Sequence, residues 1–139
     1  MKIKLLGIKD LFALTKAWRE YKGLSPKNTV GVDLMASALC LPHVNIYATM
    51  EGKYLSSFII FFVQINSDGE KEVFIDHLWV KPSKRRKGIA KILIGAAKQH
   101  ALQQDIQYIT MRGNGDSFNF ALKEGFTEEY KIFKLTRGE

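Results

Sequence analysis

A cluster of cationic side chains precedes a predicted helix near the middle of the chain. The segment VKPSKRRKGIAK, Val80–Lys91, contains six lysines and arginines among its twelve residues. Gly88 and the small Ala90 near its end would let a ligand approach the backbone closely. A turn from a strand into a helix leaves backbone N–H groups unpaired, and the helix dipole adds partial positive charge there. Such a turn could bind the phosphates of a ligand.

Two other interpretations of the basic run compete with phosphate binding. Charge runs commonly mark a solvated surface loop. A nucleic-acid patch would favour aromatic side chains among the basic ones, or a recognition helix, and neither occurs around Lys81–Lys91. The formal net charge of +7 favours anionic partners but does not choose among them. Nucleic acid is therefore not the favoured partner.

The elements that position this turn follow from hydrophobic periodicity. A short strand and two helices are predicted before Pro42, and three strands joined by two hairpin turns follow. From Gly88 the period becomes helical for about four turns. A strand, a short helix and a closing strand complete the chain. Hairpins imply antiparallel pairing, and the strand–helix–strand unit implies a right-handed parallel crossover. The predicted fold class is α/β (α+β): a mixed, mostly antiparallel sheet flanked by helices around a central strand–loop–helix unit.

Length and composition bound the classes of protein that the chain can form. Its 139 residues predict one domain over residues 1–139. The single cysteine, Cys40, excludes an internal disulfide, and three histidines without ligand-like spacing predict no metal site. The longest uncharged run, residues 54–66, is too short to span a membrane, and no signal peptide is evident. We therefore expect a cytoplasmic protein without a membrane partner, for which a homodimer is possible but not required.

Two segments resemble the GNAT family of acetyl-CoA-dependent N-acetyltransferases. LWVKPSKRRKGIAKIL is similar to the family's pyrophosphate-binding motif, which runs from a strand through Val-x-Pro to Arg/Gln-x-x-Gly-x-Gly/Ala. NGDSFNFALKEGF is similar to its Asn…Tyr…Gly-Phe segment, with Asn114 and Gly125-Phe126 at the expected separation. The predicted order of elements also fits the family's fold over most of the chain.

The resemblance implies acetyl-CoA as cosubstrate and a set of residues that would bind it. Backbone amides from Arg86 to Ala90 would hold the pyrophosphate of coenzyme A. The preceding strand would separate from its neighbour and bond the pantetheine arm, and the amide region of Val80 would polarise the thioester carbonyl. Asn114 would contact the pantetheine or position the departing thiol. The predicted cofactor-binding residues are Leu78, Trp79, Val80, Arg85, Arg86, Lys87, Gly88, Ile89, Ala90 and Asn114.

The implied reaction is direct attack of a primary amine, on a small molecule or a peptide, on the thioester. The amine attacks only when neutral, so a base or a water chain must remove its proton. Asp76 is the candidate general base, since period-two alternation places it on one strand face with Phe74 and Leu78. A structural, hydrogen-bonded carboxylate is the alternative. The same alternation places His77 on the opposite face, as a structural residue.

One position departs from the family's pattern. The tyrosine that commonly protonates the leaving thiolate stands four residues before the glycine of Gly-Phe, and here that residue is Ala121. Water could supply the proton, because a thiolate with a pKa near 8.5 is a tolerable leaving group, or Tyr108 or Tyr130 could reach the site. The alternative function is a coenzyme A sensor with little turnover. A basic nucleic-acid-binding domain is the second alternative.

Overall fold

A five-stranded sheet, helices on both faces and a parallel crossover make up the fold. The computed structural model of the chain describes residues 2–112, 115–128 and 135–136. The strands lie in the order β1-β2-β3-β4-β5. They are β1 (Ile3–Leu5), β2 (Val44–Glu51), β3 (Tyr54–Ile65), β4 (Lys71–Val80) and β5 (Tyr108–Met111). The helices are α1 (Leu11–Lys22), α2 (Val30–Cys40), α3 (Ile89–Gln103) and α4 (Gly115–Lys123). The mixed, mostly antiparallel sheet flanked by helices confirms the predicted fold class.

Glycines with positive φ end or connect the elements around the sheet. α1 ends at Gly23, whose φ of +65° closes the helix in the left-handed conformation. The β2–β3 and β3–β4 hairpins turn at Gly52 and Gly69, with φ of +62° and +77°. Residues with a Cβ rarely adopt these angles, so the glycines fix where each strand reverses. Both hairpins lie where the sequence predicted them.

The sheet buries an apolar cluster on each face. On one face, α1 and α2 cover a cluster that includes Leu14, Trp18 and Phe58. On the other face, α3 covers a cluster that includes Phe61 and Leu93. Burial on both faces explains the long apolar run of β3, which reads as a continuous hydrophobic strand rather than an alternating one. The two clusters hold α1 and α3 against opposite sides of β4.

β4 is much longer than its parallel neighbour β5. Its register with β5 runs from Glu72–Tyr108 to Ile75–Met111, whereas its antiparallel register with β3 extends to Val80. The crossover through α3 therefore returns the chain beside the first half of β4 only. The second half of β4 extends beyond the described pairing with β5.

The last residues of the chain were predicted to form a closing strand. The predicted closing strand falls mostly outside the described residues, and Phe126–Glu128 are not in a strand. No helix in the described part of the chain is both long and apolar enough to cross a membrane.

We predict that the cluster under α1 contributes strongly to stability. Leu14 is fully buried there, so Leu14→Ala should lower the free energy of unfolding by about 2–5 kcal/mol. Leu102→Ala is the matched control, because Leu102 also lies on a helix but is 74% exposed. Urea denaturation measures both variants. Equal destabilisation by the two substitutions would contradict the packing described here.

Candidate functional site

The turn between β4 and α3 is exposed and is shaped by two residues with positive φ. A short 3-10 turn, Pro82–Lys84, follows β4, and the Lys84 amide donates to the Lys81 carbonyl at 2.8 Å. Arg86 then has a φ of +64° and Gly88 a φ of +78°. Left-handed residues within a turn direct nearby N–H groups toward one side, an arrangement that binds anions.

The amides of this turn have no acceptor within the described residues. None of the amides from Arg86 to Ala90 donates a hydrogen bond to another described group. The first amide of the helix region to do so belongs to Ile92, which bonds the Gly88 carbonyl at 3.2 Å. Because α3 begins at Ile89, its dipole adds partial positive charge at the same place. The five consecutive residues predicted to bind phosphate, 86–90, therefore form a row of backbone donors without a described acceptor.

Around the turn, one side chain is buried in the core, one forms an ion pair, and two cations are exposed without an ion pair. Ile89 is 3% exposed and packs in the cluster under α3, which fixes the start of the helix. Lys84 is already paired, with its Nζ 2.6 Å from Oε1 of Glu51. Arg86 and Lys87 are exposed and make no ion pair with any described residue. A left-handed conformation costs a residue with a Cβ about 1–2 kcal/mol, so Arg86 carries local strain of the kind found at ligand sites.

The second half of β4 exposes backbone groups on the side away from β3. The Lys81 amide donates to the Ser56 carbonyl at 2.8 Å. In an antiparallel ladder the bonding direction alternates, so Leu78 and Val80 point their N–H and C=O groups away from β3. The described register with β5 has already ended at Ile75. Beyond Ile75, the backbone of Leu78 and Val80 therefore has no described strand partner on the side away from β3, and we call this stretch beside β4 the gap.

Two residues predicted to bind the cofactor, Trp79 and Arg85, make contacts within the protein instead. Trp79 is 6% exposed, its side chain packs in the cluster under α1, and the same alternation turns its backbone toward β3. Arg85 donates from Nε to the Val80 carbonyl at 2.9 Å. Of the Val80 backbone, the amide is the group that remains available to a ligand in the gap.

A bulge in β4 changes which side chains share a face. Ile60 pairs with His77 and Phe61 pairs with Ile75, so Asp76 has no partner on β3. The extra residue shifts the alternation by one position. Leu78 therefore packs toward α3, and its predicted placement beside Asp76 is wrong. The predicted placement of His77 on the face opposite Asp76 is wrong for the same reason.

Asp76 and His77 form a contact at the bulge. Nε2 of His77 lies 3.2 Å from Oδ2 of Asp76, and Nε of Arg112 lies 3.3 Å from Oδ1. Oδ1 is buried and accepts no hydrogen bond from a described residue. The hydrogen bond from His77 lowers the pKa of Asp76 most, the charges of His77, Arg112 and Lys22 lower it further, and burial opposes them. Asp76 is consequently a carboxylate at neutral pH.

Tyr21, on α1, contacts His77 as well, and no sequence pattern indicated this contact. Its hydroxyl lies 2.9 Å from Nδ1 of His77. Burial, and then the charge of Asp76, raise the pKa of Tyr21, so the phenol stays protonated. Fifty-six residues separate the two partners. The sequence predicted only a helix in this region, before Pro42.

The residues considered for protonating the thiolate lie elsewhere. Ala121 is buried in α4 and offers no proton. Tyr108 begins β5 opposite Glu72, at the end of the pairing remote from the gap. Asn114 and Tyr130 lie outside the described residues.

Comparison with protein-family models matches residues 14–126 to the acetyltransferase (GNAT) family. The chain belongs to this family. The match spans the strand, turn and helix described above, and it confirms the resemblance predicted from the two motifs. Membership also confirms the prediction that the protein is an acyl-CoA-dependent N-acetyltransferase. No curated protein matches the sequence.

Solved structures share the fold at low sequence identity. A ribosomal-protein-alanine N-acetyltransferase from Brucella melitensis biovar Abortus 2308 is 17% identical, with a TM-score of 0.84 over 99% of this chain and 100% of that one. Aminoglycoside N-acetyltransferase AAC(6')-Iy in complex with CoA is 19% identical, with a TM-score of 0.84 over 99% and 95%. A predicted acetyltransferase with acetyl-CoA from Clostridium acetobutylicum is 15% identical, with a TM-score of 0.76 over 97% and 95%.

We predict that Gly88→Glu weakens acetyl-CoA binding at least about tenfold, a loss of about 1.4 kcal/mol. The substitution places a carboxylate beside the amides that would hold the pyrophosphate. No atom lies within 4 Å of a Cβ at Gly88, so the effect is not a steric clash with the fold. Isothermal titration of acetyl-CoA measures the change.

Gly69→Glu is the matched control for that variant. Gly69 has nearly the same φ, +77° against +78°, and equally open surroundings. It lies in the β3–β4 hairpin, at the far end of β4 from the turn. The control carries the same backbone strain and the same charge, and it should bind acetyl-CoA as the wild type does. Equal affinities of the two variants would remove Gly88 from the phosphate site.

We also predict an acid-dependent contribution of Asp76 to stability. Its native pKa lies below the ordinary value of 3.8, so the stabilisation is complete above that value and is lost as the pH falls through the native pKa. The difference in unfolding free energy between wild type and Asp76→Asn should be constant at neutral pH and should shrink below about pH 4. Denaturant titrations across this range measure it. A difference that grows on acidification would contradict the direction of the shift.

Proposed function

We propose that the protein transfers the acetyl group of acetyl-CoA to a primary amine of a small molecule or a peptide. The observation that carries this proposal is the row of amides from Arg86 to Ala90, which have no described acceptor, next to the gap beside β4. A diphosphate at the turn and a pantetheine arm along Leu78 and Val80 would follow one continuous line of backbone donors. The family to which the chain belongs performs this class of reaction.

Two similar structures support the choice of an amine acceptor. One is named for an aminoglycoside acceptor and the other for the alanine of a ribosomal protein. Their acceptors are thus a small molecule and a protein. At identities below 20%, these names support the class of nucleophile and not a particular acceptor.

The thioester would be activated at the end of β4. The Val80 amide points into the gap, where it would donate to the thioester oxygen as negative charge develops there. The amine nitrogen bonds to the carbonyl carbon, the C–S bond then breaks, and coenzyme A leaves as a thiolate. Because Ala121 replaces the usual phenol, water supplies the proton to this thiolate, whose pKa near 8.5 makes it a tolerable leaving group.

Asp76 would receive the proton that the amine loses. Its Oδ2 faces His77, while Oδ1 accepts no hydrogen bond from a described residue. Arg112 lies over Oδ1 at 3.3 Å but is more than half exposed. An ion pair with so exposed a partner is worth about 0–1 kcal/mol, so Arg112 can move aside when an ammonium approaches. The same carboxylate would therefore attract the cationic acceptor and take its proton.

Thiol release from acetyl-CoA tests the proposed function. The protein is incubated with acetyl-CoA and a panel of amines: amino acids, polyamines, aminoglycosides and peptides with a free N-terminus. Acceptor-dependent release of free thiol, with a matching acetylated product by mass spectrometry, is expected for at least one class. Binding of acetyl-CoA without release for any class would favour the coenzyme A sensor. Absence of binding, with a salt-dependent shift on DNA or RNA, would favour the nucleic-acid-binding alternative.

We predict that Asp76→Asn lowers kcat by about 100-fold, the effect usual for loss of a general base. The dissociation constant of acetyl-CoA should not change, because Asp76 does not belong to the phosphate turn. Asp105→Asn is the control, since it makes the same carboxylate-to-amide change in an exposed turn after α3, at a φ of +55° that asparagine tolerates. An unchanged kcat in Asp76→Asn would remove this residue from the proton-transfer role.

A further inference from the structure

Polar contacts link the side chains of Tyr21, His77 and Asp76 in a series that reaches from α1 to the bulge in β4. The Tyr21 hydroxyl is 2.9 Å from Nδ1 of His77, and Nε2 of the same ring is 3.2 Å from Oδ2 of Asp76. Both ring nitrogens therefore have a partner. These three side chains are not needed to bind coenzyme A, since none of them contacts the phosphate turn or the exposed backbone of Leu78 and Val80.

The donors and acceptors of this series define the direction of its hydrogen bonds. An ionised carboxylate only accepts, so Nε2 of His77 must carry the hydrogen that points to Asp76. In a neutral imidazole the other nitrogen then accepts, and the Tyr21 hydroxyl donates to Nδ1. The carboxylate thus selects the Nε2–H tautomer of His77, and the phenol supports it by donating to Nδ1. A ring with its hydrogen on Nδ1 alone would present a lone pair to the carboxylate.

Aromatic packing holds this arrangement in place before any ligand arrives. The His77 ring lies edge-to-face against Trp18, with centroids 4.9 Å apart, and His77 is 18% exposed. The Tyr21 ring packs edge-to-face on Phe58 at 5.5 Å. Fixed neighbours on both rings restrict their rotation, so the direction of the Nε2–H bond toward Asp76 is set by the fold.

We propose that Tyr21 and His77 are positioning residues for acetyl transfer: they hold Oδ2 of Asp76 and thereby direct Oδ1 toward the acceptor amine. This inference rests on the proposed function and adds two positioning residues to Asp76. His77 occupies one carboxylate oxygen throughout the reaction. The proton from the amine nitrogen goes to the other oxygen and from there to water, while neither His77 nor Tyr21 gains or loses a proton. Tyr21 acts on the carboxylate only through the ring of His77.

The first test reads the tautomer of His77 directly, without substrate. The chain has three histidines, so long-range ¹H–¹⁵N correlation spectra resolve each ring, and His77→Gln identifies the signals of His77. The wild type should show the Nε2–H tautomer. Tyr21→Phe removes only the hydroxyl, and the ¹⁵N resonance of His77 Nδ1 should shift because that nitrogen loses its hydrogen bond. Tyr47→Phe is the matched control, because Tyr47 stacks on Phe61 at the other face of the sheet and its hydroxyl bonds no described residue.

The second test links that signature to catalysis. Tyr21→Phe should lower kcat about tenfold, within the range that misplacement of a reacting group produces, and should leave the dissociation constant of acetyl-CoA unchanged. His77→Gln keeps an N–H donor near the position of Nε2, whereas His77→Leu keeps none. The order of kcat should therefore be wild type, then His77→Gln, then His77→Leu. Thermal unfolding of each variant establishes that the folded protein is being compared.

Several results would overturn the inference, and they are distinct from failure of the proposed function. An Nδ1 resonance unchanged in Tyr21→Phe, or a shifted resonance with unchanged kcat, would exclude positioning by Tyr21. Equal kcat in His77→Gln and His77→Leu would exclude the hydrogen bond to Oδ2. A wild type that binds acetyl-CoA but releases no thiol with any amine would refute the proposed function, and the catalytic role of both residues with it, whatever the spectra show.

Discussion

The separation of β4 from β5 is the structural constraint on which the site depends. Four residues of β4 pair with β5, and the strand then continues past the last described pair, Ile75–Met111. Burying backbone donors and acceptors without a partner costs free energy, and those of Leu78 and Val80 that face away from β3 have no described partner. The same strand leads directly into the turn of free amides. The part of β4 beyond the last described pair and the turn that follows it together form the proposed coenzyme A site.

The bulge at Asp76 places the candidate general base and His77 on the same face of β4. Without the extra residue, strict alternation would place Asp76 and His77 on opposite faces of β4. With it, both side chains lie on the side of α1, where Tyr21 reaches the imidazole and Arg112 lies near the free carboxylate oxygen. The carboxylate is ionised because these partners outweigh its burial. Bulges commonly redirect side chains next to active sites, and this one joins two elements of the fold into a single site.

The turn between β4 and α3, which is proposed to bind phosphate, could be predicted from sequence because its signal is local. Cationic residues, Gly88 and the change from a strand to a helical period all lie within a dozen residues, and the hairpin glycines are equally local. The bulge has no such signal. Uninterrupted two-residue alternation along β4 therefore placed Leu78 and His77 on the wrong faces of the strand. The contact of Tyr21 with His77 depends on how α1 packs on the sheet, across fifty-six residues. Local patterns thus indicated the turn proposed to bind the cofactor, whereas the contacts around Asp76 depend on tertiary packing.

A crystal structure of the protein with coenzyme A is the most direct test of the central claim. The account predicts that pyrophosphate oxygens lie within hydrogen-bond distance of the amides between Arg86 and Ala90, and that the pantetheine arm follows Leu78 and Val80 to a thiol near Asp76. A pyrophosphate bound elsewhere, or a pantetheine arm outside the gap beside β4, would contradict it.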